Sequence, residues 1–223
     1  MTTTKVSILL YDGLTALDAI GPYDVLRQVP GWEVGFVARR PGEVRTDAGS
    51  LGLVADAGIG ETGAVDILLV PGGFGCVEVA QDTEVLDWIR AVDEGSRWTA
   101  SVCTGSLILA AAGLLEGRRA TGHWLWLDPL RGYGAEPVTG RWVEDGKYLT
   151  AAGVSAGIDM ALHLVDREVG PEIAQAIQLG IEYDPQPPFD SGSPTKAPAA
   201  IVDAVTANSQ ARREGIVSGG SPG

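Results

Sequence analysis

Cysteine is scarce in this 223-residue chain: there are two, Cys76 and Cys103, far too few for a disulfide framework. Histidine is as scarce. His123 and His163 are the whole complement, and with no C-x-x-C or H-x-x-x-H spacing no zinc site is legible. Basic residues are also few, 16 Lys and Arg against 29 Asp and Glu, which leaves a formal net charge of −13. A chain of that sign repels phosphate backbones, and no compact basic run offsets the repulsion, so nucleic-acid binding is disfavoured. Long apolar runs are missing too: Val6–Leu10 is too short to span a bilayer, and Met1–Lys5 lacks the charged-then-apolar order of a signal peptide. The expectation is a protein of the reducing cytoplasm with neither a membrane nor a nucleic-acid partner.

What is present is apolar residue and glycine. Hydrophobic residues make up 45% of the chain, enough for one large domain with a substantial core. Lys5–Tyr11, K-V-S-I-L-L-Y, reads as a buried strand stopped by Asp12-Gly13. A helix is expected around Leu17–Gln28, then strands at Trp32–Ala38 and, more weakly, Leu51–Ala55. Asp66–Gly73, D-I-L-L-V-P-G-G, is a continuous apolar strand running into a glycine loop, and Thr83 is expected to cap a helix through about Val92. Trp98–Val102 forms a strand that leads straight into Cys103, with a helix over Gly105–Leu115 stopped near Gly117. Arg141–Glu144 and Lys147–Thr150 flank Asp145-Gly146 as a hairpin. Helices over Gly153–Val169 and Pro171–Tyr183, an extended loop over Asp184–Pro198 and a last helix over Ala199–Arg213 complete the chain. Residues 1–183 are expected as one α/β domain, 184–213 as a proline-rich extension with a helix of the same domain, and 214–223 as a disordered tail. Strands that alternate with helices predict a mainly parallel sheet with helices on both faces.

In such sheets ligands bind beyond the carboxyl ends of the strands. Three candidates stand there: Asp18 after the first strand, Pro71-Gly72-Gly73 after the third, and Cys103 after the fourth. Cys103 in S-V-C-T-G-S occupies a sharp strand-to-helix turn with small neighbours, where a helix N-terminus favours thiolate; the alternative is a buried, inert cysteine. Asp18 is either a helix cap or an acid whose titration is coupled to the thiol. P-G-G-F-G is not a nucleotide-binding glycine pattern, and its glycines are read instead as letting backbone N–H groups approach a reacting atom. Cys76 is either a resolving thiol for Cys103 or a small hydrophobe. His123 borders the pocket or is a structural histidine, and His163 is packing or surface. Thr104, not an imidazole, adjoins Cys103, which speaks against a thiol protease.

These residues resemble a family. Ser101–Trp124 is similar to the nucleophile elbow and following helix of the DJ-1/PfpI superfamily; Leu17–Pro22, Leu68–Gly73 and Ala152–Leu162 are similar to its other signatures. The resemblance covers the chain through about Tyr183 and implies a flavodoxin-like fold of the class I glutamine amidotransferase type. Two subgroups share C-T-G-S and L-D-x-x-G-P: isonitrile hydratases, and transcriptional regulators that append a basic helix-turn-helix domain. Asp18 and the proline-rich stretch Ile181–Pro194 fit the first; the acidity and length of the chain do not fit the second. Gly122 departs from the usual T-T-H-W. What the resemblance implies is hydration of an isonitrile, R–N≡C, to an N-substituted formamide, with no metal or organic cofactor. Cys103 would attack the terminal carbon, Asp18 would supply the proton, and the backbone of Thr104, Gly73 and Phe74 would orient substrate or water, with His123 at the pocket's border. Family members are usually homodimers, and a homodimer is expected. The competing expectations are a glyoxalase-like activity and a non-catalytic thiol sensor.

Overall fold

Thr4–Leu9 (β1), Ile67–Val70 (β6) and Trp98–Val102 (β7) are apolar runs with almost every side chain buried, as central parallel strands covered on both faces must be. In the computed structural model, which describes residues 3–217, they lie side by side in a seven-stranded sheet. The intervening elements in chain order are α1 (Ala16–Leu26), β2 (Trp32–Ala38), β3 (Gly42–Arg45), β4 (Gly52–Ala55), β5 (Ala57–Gly58), α2 (Cys76–Val79) and α3 (Thr83–Gly95). After β7 come α4 (Gly105–Ala111), β8 (Arg119–Ala120), α5 (Leu127–Gly132), β9 (Glu136–Pro137), β10 (Trp142–Asp145), β11 (Tyr148–Ala151), α6 (Ala156–Val169), α7 (Pro171–Gly180) and α8 (Ala199–Val217). The sheet order is β10-β11-β7-β6-β1-β2-β5, parallel except for the β10–β11 pair. It is the mainly parallel, helix-flanked sheet of a flavodoxin-like α/β fold. Backbone packing divides the chain into one unit up to Glu182 and a second from Tyr183.

Several expected boundaries move, each for a local reason. Asp82, not Thr83, caps α3, its carboxylate accepting from the N–H groups of Glu84 and Val85. α4 stops at Ala111 rather than Leu115, because Gly113 turns left-handed (φ 82) and the Leu114 N–H closes on Leu109 O at 3.1 Å. The hairpin pairs Asp145 with Tyr148, one residue later than read, which places Gly146 (φ 63) first in the two-residue loop. Residues 153–155 are a turn before α6, not its first turn. α8 continues to Val217, so residues 214–217 of the expected tail are helical, and 218–223 lie outside the described residues. No described helix is long and apolar enough to cross a membrane.

α1 and α6 pack closely through glycine. A Cβ on Gly21 would meet Ile158 at 3.0 Å, and one on Gly157 would meet Pro22 at 3.1 Å. That contact seats the first turn of α1, and with it Asp18, over the ends of the central strands.

Candidate active site

Asp18, Gly72-Gly73 and Cys103 follow β1, β6 and β7 respectively, three neighbouring strands of the sheet, so their carboxyl ends converge as the topology required. Cys103 leaves β7 with φ 59. A non-glycine residue in this region carries roughly 1–3 kcal/mol of strain, and its surroundings hold it there. Its N–H donates to the carbonyls of Ala151 and Ala152, both at 3.1 Å, while its own carbonyl accepts from Ser106 Oγ at 3.1 Å.

Behind the elbow, α4 starts tight against the end of β6. A Cβ on Gly105 would lie 2.1 Å from Val70 O and 2.9 Å from Pro71 O, so the glycine of C-T-G is a packing requirement. Gly105→Ala is expected to force the elbow off the sheet at about 1–3 kcal/mol, or roughly 2–12 °C in melting temperature; a thermal melt unchanged within a degree would contradict that. Gly122, the departure from T-T-H-W, has the same cause: a Cβ there would sit 2.5 Å from Ser106 Oγ and 2.8 Å from Cys103 O.

Thr104 is buried and its Oγ1 is doubly engaged, accepting from Gly73 N–H at 2.8 Å and donating to Gly73 O at 3.0 Å. The Gly73 N–H is therefore committed to Thr104 rather than facing a reacting atom, which corrects the expectation from the sequence. Gly73 (φ 138) is a glycine because a Cβ would fall 2.3 Å from Gly13 O and 2.5 Å from Leu14 Cα. Phe74 follows, half-buried, its carbonyl accepting from Val77 N–H at the start of α2.

Asp18 is fully buried, at 0% exposure, in the first turn of α1. It is not the cap: that position is Thr15, and the Asp18 Oδ2 accepts instead from the Gly72 N–H across the site at 2.9 Å. Oδ1 is buried without a hydrogen bond of good geometry, so the Cys103 thiol beside the carboxyl is a weak partner and the oxygen remains open to a reacting proton. Burial pushes the Asp18 carboxyl from 3.8 up to about 7; the bonds from Gly72 and Cys103 pull the other way, and the charge of Asp47 adds to the rise. Cys103, only 5% exposed, is pushed well above the ordinary thiol range by burial and then by the Asp18 charge. Backbone N–H groups of Val154 and Thr104 favour its thiolate but do not outweigh those effects. The expected thiolate preference is thus reversed in the resting site: burial and the neighbouring carboxyl favour the thiol, and the two titrations are coupled.

His123 precedes a short 3₁₀ turn, Trp124–Trp126, and its Nδ1 accepts from the Leu125 N–H at 3.3 Å. A Cβ on Gly153 would meet its ring at 2.8 Å, so it flanks the 153–155 turn that carries the Val154 N–H. Cys76 is 1% exposed at the start of α2. His163 pairs with Glu144 at 2.8 Å beneath Trp142, as a structural histidine of the β10 edge.

The sequence reading missed two contributors, Val154 and Tyr11, and gave the N–H of a third, Gly72, a different target. Val154 donates to Cys103 from a backbone at φ 40, and a β-branched residue gives no sign of such a conformation. Gly72 holds Asp18, and a Cβ on it would lie 2.5 Å from Thr104 N and 2.8 Å from Asp18 Oδ2. Tyr11 donates its hydroxyl to Pro71 O at 2.8 Å; the signal available was an aromatic hydroxyl at the end of an otherwise aliphatic strand.

The chain is similar to known proteins over most of its length. The isonitrile hydratase of Pseudomonas putida is 45% identical over 199 residues, 89% of this chain and 87% of that protein. The crystal structure of a THiJ/PfpI family protein from Pseudomonas syringae superposes with a TM-score of 0.90 at 38% identity, over 92% of this chain and 86% of that one. The HTH-type transcriptional regulator CdhR of Pseudomonas aeruginosa is 39% identical over 111 residues, but these span 49% of this chain and 33% of the regulator. The model of the DJ-1/PfpI family matches residues 4–167, and the chain belongs to that family.

Proposed function

We propose that this protein is an isonitrile hydratase, an enzyme that adds water to R–N≡C to give R–NH–CHO. The observation that carries the reading is the buried pairing of the Cys103 thiol with the Asp18 carboxyl; the likeness to the P. putida enzyme supplies the substrate class.

The terminal carbon of an isonitrile bears both an electrophilic site and a lone pair, so adding a thiol across it needs a nucleophile and a proton at the same atom. Cys103 Sγ attacks that carbon as its proton passes to Asp18, and Asp18 returns the proton to the carbon, giving the thioimidate R–N=CH–S–Cys103. Water then adds to the same carbon with one of its protons going to nitrogen. The resulting R–NH–CH(OH)–S–Cys103 collapses as the C–S bond breaks, the hydroxyl proton returning to the pair and leaving formamide and thiol. The Thr104 and Val154 N–H groups stabilise charge on sulfur as it departs, and Gly72 N–H holds the carboxylate in place. Gly73 holds Thr104, and Phe74 and His123 bound the site. Chromatographic assay of formamide formed from a simple alkyl or aryl isonitrile tests the reading; no turnover above the uncatalysed rate would sink it.

Cys76 has no step in this scheme. Cys76→Ala should keep activity within roughly threefold, under ~1 kcal/mol in barrier, and a larger loss without loss of stability would break the single-thiol mechanism. The protein is further proposed to act as a cytoplasmic homodimer, with the half-buried Trp124 and Trp126 available to an apolar interface. Light scattering at micromolar concentration should give twice 23.2 kDa; a single-chain mass would refute the dimer.

A further inference from the structure

The Tyr11 hydroxyl and the Asp18 carboxyl bind opposite ends of one peptide group. Tyr11, buried two residues beyond β1, donates to Pro71 O at 2.8 Å, and the N–H of the same amide, on Gly72, donates to Asp18 Oδ2 at 2.9 Å. Hydroxyl, amide and carboxyl thus form a continuous buried chain, in which donation to the carbonyl polarises the amide and strengthens its N–H as a donor. The ring lies against the loop that follows: a Cβ on Gly75 would lie 3.2 Å from Tyr11 Cδ2. Nothing in the hydration scheme uses Tyr11.

We propose that Tyr11 is a positioning residue for the reaction, its hydroxyl setting, through the Pro71–Gly72 peptide, the strength of the hydrogen bond that holds the Asp18 carboxylate. The proposal rests on the reading of Asp18 as the group that moves the proton. The Gly72 bond favours the ionised carboxyl, so weakening it keeps the proton on Asp18 to higher pH. The titratable groups that act on this carboxyl are Cys103 after β7 and Asp47 in the β3–β4 turn, with Cys76 of α2 acting on Tyr11 itself; all three are left unchanged by the substitutions below.

Tyr11→Phe removes the donor and keeps the ring. It should lower kcat about three- to tenfold with KM changed less than about twofold, and move the acidic limb of the pH–rate profile upward by roughly half a pH unit. Site-specific 3-fluorotyrosine at position 11, a stronger donor of nearly the same shape, should move that limb downward. Two readouts need no isonitrile: the rate of Cys103 alkylation by iodoacetamide against pH, and thermal stability against pH. Both should shift with the limb, in opposite directions for the two variants. A merely structural tyrosine predicts a lower melting temperature for Tyr11→Phe with every midpoint in place, and midpoints unmoved in both variants would overturn the proposal. If the parent protein fails to hydrate isonitriles, the functional reading falls alone, while the alkylation and stability profiles still decide the role of Tyr11.

Discussion

Cys103→Ala is expected to abolish isonitrile hydration, a loss of at least about 10³-fold, or ~4 kcal/mol in barrier, while the fold survives. In the proposed mechanism sulfur is the nucleophile that makes the thioimidate, and Asp18 cannot replace it because its proposed role is to receive and return the proton. The structural change is small. The φ of 59 is already strained with cysteine, alanine meets the same steric limits there, and the bonds that hold the elbow use the backbone of residue 103. Cys103→Ser should be nearly as inactive, since a buried hydroxyl resists ionisation far more than a thiol does. Steady-state assay with circular dichroism decides the matter, and activity within about tenfold of the parent, ~1.4 kcal/mol, would remove Cys103 from the mechanism. The alanine variant has a second consequence. The thiol is among the groups that favour the ionised form of Asp18, so without it the carboxyl should hold its proton to still higher pH.

How much of this site the sequence displays depends on whether a role is written in a side chain or in a peptide. Cys103 was legible because a cysteine between an apolar strand and a run of small residues needs a tight elbow, and the structure puts it in one. A mainly parallel sheet with helices on both faces was accessible from apolar strands alternating with helices, and D-I-L-L-V-P-G-G marked one of its strands. The function of the glycines was not: P-G-G suggested N–H groups aimed at a reacting atom, whereas Gly72 and Gly73 spend theirs on Asp18 and Thr104. Donation from Val154 and the relay through Pro71–Gly72 are backbone events between residues far apart in the chain, invisible to spacing. The boundaries of α4 and α6 moved for a related reason, since small residues such as those at 112–117 and 152–157 suit a helix, a turn and a close approach equally well. Tertiary contact, not propensity, chose among them.

The sharpest expected result concerns Asp18→Asn, which should lose activity and gain stability together. Asparagine can still accept from Gly72 N–H but carries no transferable proton, and loss of general acid–base help of this kind costs about 10²–10⁴-fold. Stability follows from the position of the carboxyl's titration, at about 7 in the fold against an ordinary 3.8. Below pH 4 the folded and unfolded chains both hold the proton, and Asp18 is neutral in its effect. Between pH 4 and 7 the unfolded chain releases the proton while the folded chain retains it, so stability falls as pH rises, by up to about 4 kcal/mol for a shift of about three units. Above pH 7 the loss is complete and flat. The amide of Asp18→Asn never ionises, so the variant should match the parent near pH 4 and melt higher at pH 8, by roughly 5–10 °C if half or more of that difference is realised. A helix-capping aspartate would behave otherwise, because asparagine caps about as well and neither activity nor the pH dependence of melting would change. Asp18→Glu separates acid chemistry from geometry: it keeps the proton but adds a methylene at a fully buried position beside Gly72, and misplacement of that order costs about 10²-fold. An Asp18→Asn enzyme that stays active, or one whose melting temperature tracks the parent's from pH 4 to pH 8, would take the proton away from Asp18.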